Sequence, residues 1–199
     1  LQRCFMLTKK DITVGILAGG KATRMNNNDK GLVIVNGLPL VENLINKISS
    51  HTKKIIINAN RNINDYEKYG FPVIKDNLEN FQGPLSGIFS MLEKIDTNYL
   101  FTIPCDCPNF SWNVTQKIID EYDETKEIYI AHNSVRSQPV FMLISKNKLE
   151  PLKNFLISGD RKIDIFYQQN NYKYVYFDKD SIYFDNINTI EQLNEFNSK

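Results

Sequence analysis

A chain of 199 residues, 42% hydrophobic and 24% charged, is long enough for one buried core and, at roughly 150 residues per domain, short for two. Its 24 Lys and Arg against 23 Asp and Glu leave a formal net charge of +1, so there is no overall field to gather nucleic acid or an anionic membrane surface. Apolar runs such as Cys4-Phe5-Met6-Leu7 and Ile55-Ile56-Ile57 fall far short of the roughly 20 residues that a membrane-spanning helix needs.

The start carries no basic segment followed by a long apolar stretch and a small-residue cleavage site, so secretion is not expected. Three cysteines, two of them at Cys105 and Cys107, cannot make a fully paired disulfide framework and suit a reducing cytoplasm. Residues 1–10 are set apart as an N-terminal extension with no assigned function, leaving 11–199 as one domain.

In chain order, the β-branched run Ile12–Leu17 predicts the first strand. It leads into Leu17-Ala18-Gly19-Gly20-Lys21-Ala22-Thr23-Arg24-Met25 and on to Asp29-Lys30-Gly31. Paired glycines let backbone N–H groups approach an anion, and Lys21, Arg24 and Lys30 can neutralise a polyphosphate. The same residues would also serve a glycine turn with a solvated basic face. The segment matches neither the P-loop spacing nor G-x-G-x-x-G, which argues against a P-loop NTPase and a dinucleotide dehydrogenase. A helix over 40–50 is followed by a strand over 54–58, which ends in Asn58-Ala59-Asn60-Arg61. A helix over 64–69 is followed by a strand over 71–74, with Asp76 just beyond it. Amides and carboxylates read a nucleobase through its donor and acceptor edge, although Asn and Asp are equally at home in turns.

Gly83-Pro84-Leu85-Ser86-Gly87 opens a helix over 86–95, whose first amides suit an anion or a plain cap. The strand over 99–104 delivers Cys105-Asp106-Cys107-Pro108 to its carboxyl end. Mg²⁺ takes one or two carboxylates plus phosphate oxygens, so Asp106 opposite the glycine loop would suit a metal-nucleotide site. Zinc held by Cys4, Cys105 and Cys107 competes poorly, because only His51 and His132 remain to complete four ligands. A helix over 111–122, a strand over 128–131, the Pro-centred segment Arg136-Ser137-Gln138-Pro139-Val140, a strand over 140–144 and a helix over 148–156 follow. Gly159-Asp160-Arg161-Lys162 is a second cationic turn, before a helix over 161–169 and a strand over 173–177. In Asn186-Ile187-Asn188-Thr189 the two amides share one side of an extended segment, which suits a heteroaromatic ligand or backbone satisfaction alike. Thr189 with Gln192 three residues on is a capping-box signature for a last helix over 189–196.

Strands and helices therefore alternate, the pattern of an α/β fold with a mostly parallel sheet and helices on both faces. Ligands of such sheets bind outside the carboxyl ends of the strands, which is where the unusual segments fall. No Ser-His-Asp or Cys-His arrangement supports covalent acyl transfer.

Taken together, Leu17-Ala18-Gly19-Gly20 with Arg24-Met25, Lys30-Gly31, Asn58 to Arg61, Asp76, Gly83 to Gly87, Pro104 to Pro108, Gly159-Asp160-Arg161 and Asn186 to Thr189 resemble the molybdenum cofactor guanylyltransferase family along nearly the whole chain. The first motif is shared with other nucleotidyltransferases of that fold. Gly19-Gly20 is more like the guanylyl members than the cytidylyl ones, which resemble Ala-Ala-Gly there. The resemblance implies a single Rossmann-like three-layer α/β domain with a mostly parallel, mixed sheet of the nucleotide-diphospho-sugar transferase type. It implies a cytoplasmic, Mg²⁺-dependent enzyme that transfers GMP from GTP to the terminal phosphate of molybdopterin and releases pyrophosphate.

By the same resemblance, Leu17, Ala18, Gly19, Asn58 and Asp76 hold the guanosine half of GTP. Arg24 and Lys30 bind the triphosphate, Asp106 holds Mg²⁺, and these three carry the catalysis. Arg161, Asn186 and Asn188 match positions on the molybdopterin side. GTP and molybdopterin are the implied substrates, with transient contact to molybdate-inserting proteins and to apo-molybdoenzymes or their chaperones, and with neither nucleic acid nor membrane as a partner. The attacking phosphate is already anionic, so the reaction needs positioning and charge stabilisation rather than a general base. Where the family commonly has Gly after Arg-Met, this chain has Asn26, which tolerates positive φ better than most residues. Two rival readings are a nucleotidyltransferase using CTP or a sugar phosphate, and a GTP-binding module without turnover. The presence of both Lys30 and Asp106 argues against the second.

Overall fold

The computed structural model describes residues 6–20, 29–78 and 83–198. Its strands are β1 (Ile12–Leu17), β2 (Ile34–Val35), β3 (Leu38–Pro39), β4 (Ile55–Asn58), β5 (Val73–Ile74), β6 (Tyr99–Pro104), β7 (Ile128–His132), β8 (Ser137–Ser145) and β9 (Tyr172–Tyr176). The helices are α1 (Leu40–Ser49), α2 (Ile63–Glu67), α3 (Pro84–Leu92), α4 (Trp112–Asp120), α5 (Leu149–Ile157), α6 (Ile163–Gln168) and α7 (Ile190–Asn197). Seven strands form one sheet in the order β5-β4-β1-β6-β8-β7-β9, while β2 and β3 make a separate hairpin. Only β8 runs against its neighbours β6 and β7, so the other six strands point their carboxyl ends to one edge. Register sets that edge: Leu17 pairs with both Asn58 and Pro104, and Asn58 with Ile74.

The strands alternate between two apolar layers, the reason they read as nearly continuous hydrophobic runs. Val14, Ile16, Ile57, Phe101 and Leu143 join α1 and α4 on one face. Ile56, Leu100, Met142 and Ile144 join α3, α5 and α6 on the other. In α1, Val41, Leu44, Ile45 and Ile48 are buried at the three- and four-residue spacing of a helix face. This is a single α/β domain with a mostly parallel, mixed sheet. Leu7 is buried in the first layer, and Thr8 and Asp11 cap a 3-10 turn leading into β1, so the residues just before β1 pack on the domain.

Where the observed elements differ from the expected ones, the cause is local. Residues 71–74 give only Val73–Ile74, because Pro72 has no N–H for a ladder and uses its carbonyl to accept from Ile57. Helix α3 starts at Pro84, two residues earlier than expected, since a proline fits the first turn, where a missing N–H costs nothing. The strand over 140–144 extends back to Ser137, and a register shift at Ile130/Ala131 absorbs the irregular stretch around Pro139. The β2–β3 hairpin was not anticipated, although Asn36-Gly37 is a hairpin signal; both residues have positive φ, 50° and 83°, as a type I′ turn requires.

One buried network fixes the approach to the sheet edge. Asp29, 8% exposed, caps the 3-10 turn Lys30–Leu32 by accepting from the Gly31 amide, and it also accepts from Asn62 Nδ2 at 3.2 Å and from the Tyr66 hydroxyl. Burial, and then the bond to Asp29, push the Tyr66 phenol up, so it remains a donor. Tyr66→Phe is expected to destabilise the fold by about 1.5–3 kcal/mol, the worth of a hydrogen bond to a carboxylate. Chemical denaturation of the two proteins measures it.

Candidate active site

The carboxyl ends of β1, β4 and β6 surround a cavity of about 440 Å³, within the range of small-ligand pockets. Leu17, Ala18, Gly19, Lys30, Asn58, Asp76 and Asp106 all line it, so seven of the residues singled out in the sequence converge on one place. Arg24 falls outside the described residues. Asn186 lines a neighbouring cavity, Asn188 bonds to Lys30, and Arg161, in the turn between α5 and α6, lines neither cavity.

At one end of the site, a set of amides holds a carboxylate in a fixed plane. Asn58, 2% exposed, donates from Nδ2 to the Ile74 carbonyl at 3.1 Å and to Asp76 Oδ1 at 2.8 Å. Asn60 donates to Asp76 Oδ2 at 3.0 Å and to the Gly19 carbonyl at 3.2 Å, while its Oδ1 accepts from the Asp76 amide at 2.9 Å. The segment Asn58-Ala59-Asn60-Arg61 stands out in the sequence, but the resemblance gives a role there to Asn58 alone, and the structure adds Asn60 as the second amide on Asp76. Gly83, the N-cap of α3, and Pro84, its first residue, line the same cavity.

Helix α3 approaches this network closely at Gly87. A Cβ there would stand 2.8 Å from Asn58 Cγ and 2.8 Å from Leu17 Cδ2, and closer still to Asn58 Oδ1. Gly87→Ala is therefore expected to weaken binding of the nucleotide that the resemblance implies by about tenfold, despite the better helix propensity of Ala, because overpacking costs about 1–3 kcal/mol. Titration calorimetry with GTP reads this; unchanged binding would mean that Asn58 is free to move.

At the other end, Lys30 Nζ donates to Asp106 Oδ2 at 2.9 Å and to Asn188 Oδ1 at 2.7 Å. The pair is partly buried, with side-chain exposures of 25% and 12%. Asp106 is tied down from both sides: Cys105 N donates to the Leu17 carbonyl at 3.0 Å, and Ile187 N donates to the Asp106 carbonyl at 2.9 Å. Ile187 is itself buried against Val35 and Leu40, with Leu193 and Phe196 packed alongside. The hairpin and the last helix thus clamp the segment carrying Asn186 and Asn188 over the end of β6. Thr189 and Gln192 form the expected capping box of α7.

The cysteines beside Asp106 are packing residues rather than nucleophiles. Burial, with the nearby Asp106 charge, pushes the thiols of Cys105 and Cys107 up, so both keep their protons. Among the described residues no group of three or more His, Cys, Asp and Glu could hold a metal. His51 stacks on Trp112 at 4.7 Å, and His132 packs against Tyr174 and Tyr176; Cys4 lies outside the described residues.

A cation and a carboxylate paired on the strand edge of an α/β sheet, beside a pocket lined by amides, suit the class of nucleotidyltransferases, where positioning and charge stabilisation carry the chemistry. Accordingly, the model of the MobA-like NTP transferase domain matches residues 14–173. The chain is 41% identical over 181 residues to a molybdenum cofactor guanylyltransferase of Vibrio vulnificus, covering 91% of this chain and 92% of that one. It is 40% identical over 178 residues to one of Shewanella halifaxensis, covering 89% of each. The fold is that of the crystal structure of molybdopterin-guanine dinucleotide biosynthesis protein A from Archaeoglobus fulgidus, with a TM-score of 0.77, 22% identity and coverage of 94% and 97%. The chain belongs to the molybdenum cofactor guanylyltransferase family.

Proposed function

We propose that the chain transfers GMP from GTP to the terminal phosphate of molybdopterin, forming molybdopterin guanine dinucleotide and releasing pyrophosphate. An oxygen of the acceptor phosphate forms a bond to the α-phosphorus of GTP, and the bond from that phosphorus to the bridging oxygen of the β-phosphate breaks. The observation that carries this reading is the single cavity in which Asp76, held by two amides, lies at one end and the Lys30–Asp106 pair at the other. A carboxylate accepts well from the adjacent N–H and NH₂ groups of guanine, so Asp76 with Asn58 reads the base, and the backbone at Leu17, Ala18 and Gly19 packs along the nucleoside.

Lys30, with Arg24, neutralises the triphosphate and the charge that develops on the leaving group. Asp106 fits Mg²⁺ as its protein ligand: Lys30 occupies Oδ2, while among the described residues Oδ1 has only the Cys107 sulfur at 3.9 Å, and Mg²⁺ is commonly held by one or two carboxylates together with phosphate oxygens and waters. When bound, the ion would draw charge off the phosphates. Arg161, Asn186 and Asn188 belong to the acceptor side, with Asn188 also positioning Lys30. Among the described residues no helix is long and apolar enough to cross a membrane. We place the reaction in the cytoplasm, with the acceptor received from molybdate-inserting proteins and the product passed to apo-molybdoenzymes or their chaperones.

Pyrophosphate release with GTP, CTP or ATP, each with and without molybdopterin, in Mg²⁺ and in EDTA, tests the reading. Release that requires GTP, molybdopterin and Mg²⁺ together is the expected result. Release driven by CTP would move the chain to the cytidylyl branch, and GTP binding without release in any mixture would make it a binding module.

A further inference from the structure

We propose that Arg136, which lines a second cavity beside the nucleotide cavity, holds the terminal phosphate of the acceptor with its guanidinium, alongside the Asn186 amide already assigned to the acceptor side. The inference rests on the reading above that the acceptor is a phosphorylated heterocycle. It adds Arg136, for which neither the motifs nor the comparisons give a role.

The second cavity, about 340 Å³, shares Pro104, Asp106 and Val140 with the first. Two pockets meeting at Asp106 meet a geometric need of nucleotidyl transfer, in which the attacking oxygen and the leaving pyrophosphate stand roughly in line on opposite sides of the α-phosphorus. An acceptor in the second cavity would present its phosphate to that junction from the side away from the guanosine half.

Arg136 is the one cation lining this cavity among the described residues, and no carboxylate among them pairs with its guanidinium. Its backbone is set by a short turn between β7 and β8. Asn133 Oδ1 accepts from the amides of Val135 and Arg136 at 3.3 and 2.9 Å. Asn133 N in turn donates to the Arg136 carbonyl at 3.2 Å. Ser134 holds a left-handed φ of 64°, and its hydroxyl donates to the Phe177 carbonyl at 2.7 Å. A planar guanidinium carried on a fixed turn is suited to a two-pronged grip on phosphate, and little entropy is lost when it closes. Arg161 lines neither cavity and does not duplicate this position.

Asn186 is oriented by a buried thiol. Cys107 Sγ donates to Asn186 Oδ1 at 2.9 Å, and burial keeps that thiol protonated. The bond takes up the accepting end of the amide, so its NH₂ is the end left for a ligand. Gln138, in the same wall, supplies a second amide whose two ends can match a mixed donor and acceptor edge.

Arg136 is exposed, so its replacement leaves the core untouched. The test uses the whole chain as wild type, Arg136→Ala and Arg136→Lys. GTP affinity is measured by calorimetry, molybdopterin affinity by pterin fluorescence, and KM and kcat for molybdopterin by pyrophosphate release. Arg136→Ala is expected to raise both the Kd and the KM for molybdopterin by about 10- to 100-fold, the worth of a charged hydrogen-bonded contact, with GTP affinity unchanged. Arg136→Lys should recover part of the loss. Molybdopterin affinity within about twofold of wild type in Arg136→Ala, or an equal loss of GTP affinity, would overturn the inference. Wild-type protein that neither binds nor guanylylates molybdopterin would instead overturn the function on which the inference rests.

Discussion

Asp106→Asn is expected to lower the single-turnover rate of guanylyl transfer by about a thousandfold or more, because in the proposed mechanism one carboxylate would both face the phosphates and orient the lysine that neutralises them. The substitution changes charge with almost no change in volume. The Asp106 carbonyl keeps its bond from Ile187 N, and Lys30 keeps Asn188 Oδ1 at 2.7 Å. The fold should therefore persist, and calorimetry should still show GTP and molybdopterin bound, each with a much smaller loss than the rate suffers. Lys30→Ala should fall by a comparable factor. The double variant should fall little further, since groups acting as a unit are far from additive. A rate within about tenfold of wild type for Asp106→Asn would take this carboxylate out of the chemistry.

Asp106 is legible in the sequence alone. Asp106 follows an unbroken apolar strand, and a parallel sheet places such residues in the ligand crevice. The same logic located Leu17, Asn58 and Asp76, and strand register then aligned them: Leu17 pairs with Asn58 and Pro104. Contacts that depend on side chains meeting across long sequence separations were not legible. Lys30 and Asn188 stand 158 residues apart and meet only because Ile187 is buried under the hairpin. Arg136 was legible as a residue but not as a site, since a turn between antiparallel strands has no motif of its own. Two-residue strands such as β2 and β3 are too short for any periodicity, and Asn36-Gly37 was their one local signal. Arg24 lies outside the described residues, so its part in triphosphate binding rests on the resemblance.

Asp76→Asn should erase the preference for guanine. In the wild-type chain both carboxylate oxygens are already oriented, Oδ1 by Asn58 Nδ2 at 2.8 Å and Oδ2 by Asn60 Nδ2 at 3.0 Å, and each retains a lone pair for the base. Guanine offers two neighbouring donors to such a pair, whereas adenine and cytosine present a different edge. An asparagine replaces one acceptor by an NH₂ group, which must then face either a donor of the base or the NH₂ of Asn58 or Asn60. Either arrangement leaves donors opposed, so kcat/KM for GTP should drop by about 10²- to 10³-fold, two charged hydrogen bonds' worth. Inosine triphosphate, which lacks the exocyclic amine, separates base reading from damage to the site. The wild-type enzyme should prefer GTP over it by about tenfold or more, and the variant should treat the two nearly alike, because the missing donor then has no acceptor to lose. If the variant kept the wild-type ratio while both rates fell together, guanine would be read elsewhere in the cavity and Asp76 would serve only to hold Asn58 and Asn60.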